Sequence, residues 1–315
     1  MKPIVTITLN PAVDLTIEVA GLVKGGVNRG GLSKTNAGGK GVNVAGCAAD
    51  WRGQVTATGV LGRGNDGAFV ELFATKGISD KFIRVAGDTR TNIKIADISA
   101  GETTDLNTPG LVVDADCLAR VTAAARDAAM TGAVVVIGGS LPSGLEPDVL
   151  SPLVAALNDV GADVVADTSG ASLKALLTGA GKELPYAVKP NRHELEELVG
   201  HPLPDLKALV AAAEDIVRSG VRLVVVSCGE EGALFVTESE KLTARLPRVE
   251  ALSTVGAGDA MVAGIATALA DARPLEAIAR QAVAFAAAKL RRIGPHLPKR
   301  ATVEALAAQA EITRL

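Results

Sequence analysis

Short apolar runs alternate with segments of helical periodicity along most of the chain. Ala133–Ile137 is followed by Pro147–Asn158, and Val164–Asp167 is followed by Ser172–Leu177. Continuous apolar runs of this length are typical of strands buried on both faces, and their alternation with helices is typical of α/β folds. The pattern therefore predicts a parallel sheet with helices on both faces, which binds ligands at the carboxyl ends of its strands.

Two segments depart from this alternation. Asp14–Val19 alternates polar and apolar residues, which predicts a half-exposed strand. Thr91–Asp97 and Glu102–Asp105 predict a hairpin across residues 99–101, with no helix between its strands. Together they favour a small exposed sheet attached to the main one, although periodicity alone leaves an ordinary edge hairpin open. Beyond Gly256, the pattern predicts helices to the end of the chain.

Composition and charge narrow the class of protein. Hydrophobic residues make up 48% of the 315 residues and aromatic residues only 2%, so Ala, Val, Leu and Ile must fill a large core. The net charge of −3 without a basic run argues against nucleic acid as a partner, and no apolar stretch is long enough to span a membrane. Three widely spaced cysteines without a CxxC pair favour a reducing cytoplasm.

A glycine-rich stretch, residues 253–259, lies directly before the apolar run Ala260–Ala270. Glycines ahead of a helix let backbone amides converge on an anion, and the helix dipole adds positive potential there. The stretch ends in Asp259, which could simply cap the helix. A carboxylate beside a phosphate site would repel its ligand unless it removes a proton from the attacking hydroxyl, so we favour a general base.

A second glycine-rich turn spans residues 36–43 and leads into a helix predicted over Val44–Trp51. Its three glycines allow a close approach of backbone to ligand. Lys40 offers positive charge, and Asn43 can donate and accept hydrogen bonds with sugar hydroxyls. A tight turn with a solvated lysine is the alternative.

A third turn, Gly62–Gly67, satisfies the GxGxxG spacing of dinucleotide-binding proteins. That spacing alone is weak evidence, and the predicted strand Lys81–Val85 does not end in the acid that would bind a ribose. The Walker pattern GxxxxGK[ST] is absent, so any ATP site must be of another kind.

Two further loops are candidates for nucleotide and metal binding. Asn191 and Glu194 lie three residues apart where a predicted strand passes into a helix. This spacing is equally consistent with a capping box and with a site that holds Mg²⁺ through water. Residues 227–232 join two predicted strands, and their two glycines suit a nucleotide or a plain hairpin turn equally well.

The two glycine-rich turns resemble the two signatures of the ribokinase-like (PfkB) sugar kinases. Gly38–Ala45 is similar to the first signature, and Ser253–Gly264 is similar to the second, about 210 residues further on. The resemblance implies a three-layer α/β/α fold with a mostly parallel central sheet. It implies one kinase domain over residues 1–315, with a β-sheet lid contributed by about 12–35 and 88–108 that usually also forms a homodimer interface.

The resemblance also implies roles for individual residues. Asp259 would be the base, beside Gly256, Ala257 and Gly258. The residues at sugar-phosphate positions are Asp14, Gly38, Gly39, Lys40, Asn43, Arg90 and Ser140. Those at nucleotide positions are Lys189, Asn191, Ser227, Gly229, Gly232, Gly256 and Gly258. Glu194 matches the acid that holds Mg²⁺ through water, and ATP, Mg²⁺ and K⁺ are the implied cofactors.

Within the family, three segments most resemble the 1-phosphofructokinases, with tagatose-6-phosphate kinases as close relatives: Thr8–Asp14, Val188–Arg192 and Ser253–Asp259. This implies transfer of the γ-phosphate of ATP to O6 of fructose 1-phosphate. Two departures from the family pattern are Gly64, where an acid is common, and Cys228, where an apolar residue is common. A tagatose-6-phosphate or fructose-6-phosphate kinase, a nicotinamide-dependent oxidoreductase and a non-catalytic sugar-phosphate sensor stay as alternatives. A sensor would not need Asp259.

Overall fold

The computed structural model describes residues 1–130, 132–247, 255–291 and 294–315. Its helices are numbered in chain order: α1 (Lys40–Arg52), α2 (Gly67–Lys76), α3 (Ala115–Ala129), α4 (Leu150–Asn158), α5 (Gly170–Leu177), α6 (Arg192–Val199), α7 (Leu206–Arg218), α8 (Ala257–Ala270), α9 (Leu275–Leu290) and α10 (Arg300–Ala308). Its strands are β1 (Ile4–Thr8), β2 (Ala12–Val19), β3 (Gly30–Gly38), β4 (Val55–Gly62), β5 (Ser79–Asp80), β6 (Ile83–Val85), β7 (Thr91–Asp97), β8 (Glu102–Leu106), β9 (Val134–Gly138), β10 (Asp163–Asp167), β11 (Ala187–Val188), β12 (Leu223–Ser227), β13 (Ala233–Val236), β14 (Lys241–Arg245) and β15 (Glu311–Arg314).

The main sheet is parallel through its centre. Its strand order is β15-β14-β13-β12-β11-β10-β9-β1-β4-β5, with β6 also paired to β4. All pairs from β12 to β5 are parallel, whereas β12 to β15 pair antiparallel. The parallel strands therefore end along one edge, as the alternation of apolar runs and helices predicts.

Helices cover both faces of this sheet. Along β9, Val134 and Val136 face the cluster packed by α1, α2, α8, α9 and α10, whereas Val135 and Ile137 face the one packed by α3 to α7. The first cluster depends on small side chains, since every residue of α8 from Asp259 to Ala270 is buried. The molecule thus has three layers, α/β/α, as the resemblance implies.

A separate four-stranded sheet has the order β3-β2-β7-β8. β7 and β8 form the antiparallel hairpin that the sequence predicts, and β2 pairs parallel to β7 and antiparallel to β3. This small sheet is much more exposed than the main one: every residue of β8 is exposed, whereas every residue of β1 is buried. Leu32 and Leu106 are among its exposed apolar side chains.

Two sequence-based predictions differ from the structure, one in a helix boundary and one in the type of element. Helix α1 begins at Lys40, four residues before the predicted start, so Lys40 and Asn43 lie in its first turn. The prediction failed because a helix with glycine at its N-cap (Gly39) and in its first turn (Gly41) shows little helical periodicity there. The end of the chain is the strand β15 and not a helix, because Glu311–Arg314 pairs with β14, a partner about 70 residues away in sequence.

Candidate active site

The candidate site lies where the central parallel strands end. Asp167 is the last residue of β10, and Lys189 directly follows β11. Next to them, α1 and α8 present their N-termini. Residues from several distant parts of the chain meet at this edge because parallel strands all end on the same side of the sheet.

The two glycine-rich turns are in direct contact. Asn43 Nδ2, in the first turn of α1, donates a hydrogen bond to Asp259 Oδ2, in the first turn of α8, at 2.7 Å. These residues are 216 positions apart in the sequence. Two glycines allow the turns to bend this way, since Gly39 has a φ of 109° and Gly256 a φ of 80°, both in the left-handed region.

Asp259 is buried and faces other charges. Burial, together with the nearby carboxylate of Asp167, raises the pKa of Asp259 to about 6. The hydrogen bond from Asn43 and the ammonium groups of Lys40 and Lys189 oppose this rise in pKa without cancelling it. A carboxylate with a pKa near neutrality is suited to accept a proton at physiological pH.

Asp167 organises the cations of the site, a role that the sequence analysis missed. Its Oδ1 lies 3.3 Å from Nζ of both Lys40 and Lys189. Burial alone would raise the pKa of Asp167, but the two ammonium groups outweigh it and lower the pKa. The signal in the sequence was an acid at the last position of an otherwise apolar strand, a polar residue at the edge where ligands bind.

Lys40 is the cation closest to the two turns. Its burial disfavours the charged form, but the carboxylates of Asp167, Asp259 and Glu194 outweigh this effect and raise its pKa. Lys40 therefore stays protonated, while a third of its side chain remains accessible to a ligand.

Asn191 and Glu194 form the capping box of α6. Asn191 Oδ1 accepts from the Glu194 amide, and Glu194 Oε2 accepts from the Asn191 amide, both at 2.8 Å. Among the residues described, no group of three or more acidic, histidine or cysteine side chains could hold a metal directly. The box uses Oε2 of Glu194, and the charge of this carboxylate helps to raise the pKa of Lys40. Within the part of the chain that the structure describes, Oε1 of Glu194 accepts no hydrogen bond.

A cavity of about 560 Å³ opens beside the N-terminus of α8. Four of the predicted nucleotide residues line it: Ser227, Gly229, Gly232 and Gly258. Its apolar wall comes from side chains that the sequence analysis did not single out: Met261, Val283, Ala286, Ala287 and Leu290. Small residues near the end of a helix were the available signal, because they leave room for a flat ring system.

The other three nucleotide candidates, Lys189, Asn191 and Gly256, are not among the residues that line this cavity. Lys189 Nζ lies 3.7 Å from where a Cβ on Gly258 would be, so its charge is next to the α8 amides. Asn191 pairs through a backbone bridge with Ser227 and thereby joins the capping box to the cavity.

The small sheet reaches the site through β2 and β7. Asp14 accepts hydrogen bonds from Lys94 Nζ at 3.0 Å and from Asn92 Nδ2 at 3.3 Å. A Cβ on Gly38 would lie 2.6 Å from Asp14 Oδ2, so the first signature and β2 are packed closely. Ser140 lies nearby and accepts a hydrogen bond from Asn10 Nδ2.

Arg90, the predicted ligand of the sugar phosphate, lies at the junction of the two sheets. Its guanidinium donates to the carbonyl oxygens of Asn10, Pro11 and Thr108 at 3.2, 3.2 and 3.5 Å. Burial lowers the pKa of Arg90, and Asp14 opposes this. Three carbonyl contacts fix the plane of the guanidinium, and the other two of its five N–H donors have no partner among the residues that the structure describes.

The GxGxxG turn is packed against its own chain. The Gly62 amide donates to Thr89 Oγ1 and the Gly64 amide to the Gly87 carbonyl. A Cβ on Gly64 would lie 1.9 Å from Asp88 Oδ1, so residues 87–89 occupy the space that a dinucleotide would need. Gly62 and Gly64 therefore allow residues 87–89 to pack closely against this turn.

Part of the second signature, Ser253 and Thr254, lies outside the described residues. The described part of the second signature begins at Val255, and the contacts of Gly256, Gly258 and Asp259 given above belong to it.

Residues 7–301 match the pfkB family of carbohydrate kinases, and the chain belongs to this family. It is therefore a phosphotransferase that acts on an alcohol group of a carbohydrate. The fold, the two signatures and the buried acid of the second signature agree with that class.

Among its relatives, a 1-phosphofructokinase of Xanthomonas campestris pv. campestris is 51% identical over 297 residues, which cover 92% of this chain and 93% of the relative. Two solved structures of Escherichia coli phosphofructokinase-2 are similar over 98% of this chain and 99% of theirs. One is a complex with potassium, at 31% identity and a TM-score of 0.89. The other is a complex with fructose-6-phosphate, at 29% identity and a TM-score of 0.87.

Proposed function

We propose that this chain transfers the γ-phosphate of ATP to O6 of fructose 1-phosphate, with Asp259 as the general base. The observation that carries the proposal is the 2.7 Å contact between Asn43 and Asp259, which joins the sugar-binding turn to the turn that faces the cavity. The 51% identity to a 1-phosphofructokinase supports this choice of substrate.

In this proposal the acceptor hydroxyl lies between Asp259 and the γ-phosphate. Asp259 accepts the hydroxyl proton as the oxygen attacks the γ-phosphorus, and the bond from that phosphorus to the β,γ-bridging oxygen breaks, which releases ADP. The amides of Gly256, Ala257 and Gly258 and the ammonium group of Lys40 stabilise charge on the transferred phosphoryl oxygens. Positioning and electrostatics supply most of the rate in phosphoryl transfer, and these groups are fixed before substrate arrives.

Substrate contacts are assigned to both sheets. Asp14, Gly38, Gly39, Asn43 and Ser140 bind the sugar in this proposal, and the two spare donors of Arg90 bind its existing phosphate. The support is proximity: Asp14 packs on Gly38, and Arg90 is bonded to the segment that carries Asn10, the partner of Ser140. The small sheet, about 12–35 and 88–108, then acts as a lid over the sugar.

The nucleotide is assigned to the cavity lined by Ser227, Gly229 and Gly232, with Lys189 and Asn191 near its phosphates. Bound Mg²⁺ would neutralise charge on those phosphates. Glu194 would hold it through water, and Asp167 Oδ2 suits a cation as well, because it is buried and accepts no hydrogen bond from the residues that the structure describes. Potassium, with which one of the Escherichia coli structures is in complex, stays a prediction for this chain.

A homodimer through the small sheet is a further part of the proposal. Both outer strands, β3 and β8, have an unpaired edge in the described chain, and Leu32 and Leu106 are exposed there. Exposed strand edges with apolar side chains favour pairing with a second copy.

A coupled assay of ATP consumption tests the proposed substrate. We expect the highest kcat/KM with fructose 1-phosphate, compared with fructose 6-phosphate, tagatose 6-phosphate and unphosphorylated sugars. Fructose-6-phosphate kinase activity is the second candidate, because a similar structure contains that sugar phosphate. A higher kcat/KM with fructose 6-phosphate or tagatose 6-phosphate would change the substrate assigned to this chain but not the proposed mechanism.

A further inference from the structure

A buried lysine lies behind the second signature and has no part in the mechanism above. Lys289 is in the last turn of α9 and is 4% exposed, in a helix that is otherwise rich in alanine. Lysine is almost never fully buried unless its ammonium group is paired. Its position therefore needs a physical reason.

The ammonium group of Lys289 contacts the entry to α8. Nζ donates a hydrogen bond to the carbonyl oxygen of Val255 at 3.0 Å, and Val255 directly precedes Gly256. A Cβ on Gly256 would lie 3.3 Å from Lys289 Cε and 3.7 Å from Nζ. The positive charge thus lies directly behind the turn whose amides face the phosphoryl group.

The surroundings of Lys289 act on its positive charge in opposite directions. The last turn of a helix carries partial negative charge, which stabilises a cation there. Burial lowers the pKa of Lys289, whereas Cys47 and the carboxylate of Asp259 oppose this and Lys94 adds to it. Lys289 therefore interacts electrostatically with Asp259, the proposed base, although the two side chains belong to different helices.

We propose that Lys289 is a positioning residue for phosphoryl transfer, whose ammonium group holds the first turn of α8 and fixes a positive charge behind the Gly256–Gly258 amides. This inference rests on the proposed function, because it assigns the turn to the transferred phosphoryl group. A cation in that place strengthens the stabilisation of developing negative charge without touching the substrate.

Replacing the charge tests the proposal. In Lys289→Met we expect kcat to fall about 10–100-fold, somewhat less than the loss of a direct donor, with the KM for fructose 1-phosphate within about twofold of wild type. Lys289→Arg keeps the charge and should retain most of the kcat. A kcat for Lys289→Met within about twofold of wild type would overturn the inference.

Lys76, whose side chain is 6% exposed, provides a matched control for stability. Lys76 bonds to the carbonyl oxygens of Gly46 and Pro295 and to Asp50. Lys76→Met should lower the melting temperature as Lys289→Met does, but leave kcat near wild type. Equal losses of kcat in the two variants would show that Lys289 acts only through stability, and the inference would fail.

Chemical rescue distinguishes a charge from a packing role, including where Lys289→Met folds poorly. Lys289→Ala leaves a space in which ammonium, methylammonium or K⁺ can bind, and we expect these ions, but not tetramethylammonium, to restore kcat several-fold. Rescue of the melting temperature without kcat would contradict the proposal. Absence of kinase activity in wild type would instead refute the proposed function, so the two failures are distinguishable.

Discussion

The edge of the main sheet and the small sheet contribute to one site with opposite physical characters. At the main edge, Asp259, Asp167 and Lys189 are buried, and each is close to a group of opposite charge. In the small sheet, β8 and most of β3 are exposed, and its polar side chains bond to one another and to backbone carbonyls. Under the proposed function, the buried main edge would hold the reacting groups in place, and the exposed small sheet would select the sugar phosphate.

The largest effect should come from the main edge. Asp259→Asn is expected to lower kcat by about 10²–10⁴-fold, because general-base help is lost while the shape of the side chain is kept. Asp116→Asn, in the first turn of α3 but exposed, is the control and should retain wild-type activity. Steady-state kinetics measure both, and a near-normal kcat in Asp259→Asn would remove this residue as the base.

Asp167→Asn should be the next most damaging change. It leaves the ammonium of Lys189 buried without its counter-charge, and breaking a buried ion pair in this way costs about 3–5 kcal/mol. Urea unfolding measures the loss. Asp159→Asn is the matched control, since its partner Lys182 is exposed, and we expect no measurable change there. Equal stability of the two variants would contradict the difference between the buried and exposed regions.

Asp167 also shows where sequence reasoning ends. The parallel strands, the hairpin β7–β8 and the two glycine-rich turns could be predicted, because periodicity and glycine spacing are local properties. The pairing of Asp167 with two lysines, the burial of Lys289 and the strand β15 could not, because each depends on contacts between distant segments. An Ala-rich helix gives no sign of which of its faces will meet a neighbour.

In the small sheet the expected effect is on binding. Arg90→Ala should raise the KM for fructose 1-phosphate roughly 10–100-fold, the size of a lost charged hydrogen bond, with kcat and the KM for ATP nearly unchanged. Arg120→Ala, on the exposed face of α3, is the control. An unchanged KM for the sugar phosphate would mean that Arg90 serves only the carbonyl contacts at the sheet junction.

A smaller effect should appear in stability. The pKa of Asp259 is raised to about 6 in the folded chain, so the folded state binds more protons than the unfolded state between about pH 4 and 6. Its contribution to stability therefore falls as pH rises through this window. Asp259→Asn should be more stable than wild type by about 1–3 kcal/mol at pH 7.5, and the difference should disappear near pH 4. Urea unfolding measures the free energy of unfolding of both proteins at the two pH values. An equal difference between the proteins at pH 7.5 and at pH 4 would contradict this prediction.

The pH dependence of kcat with fructose 1-phosphate, in wild type and in Asn43→Ala, tests most directly whether the two turns form one catalytic unit. Wild type should lose activity as pH falls through about 6, where Asp259 becomes protonated. The hydrogen bond from Asn43 lowers the pKa of Asp259, so its removal should move this limb to higher pH by about one unit. If kcat falls at the same pH in wild type and in Asn43→Ala, the result would contradict the account.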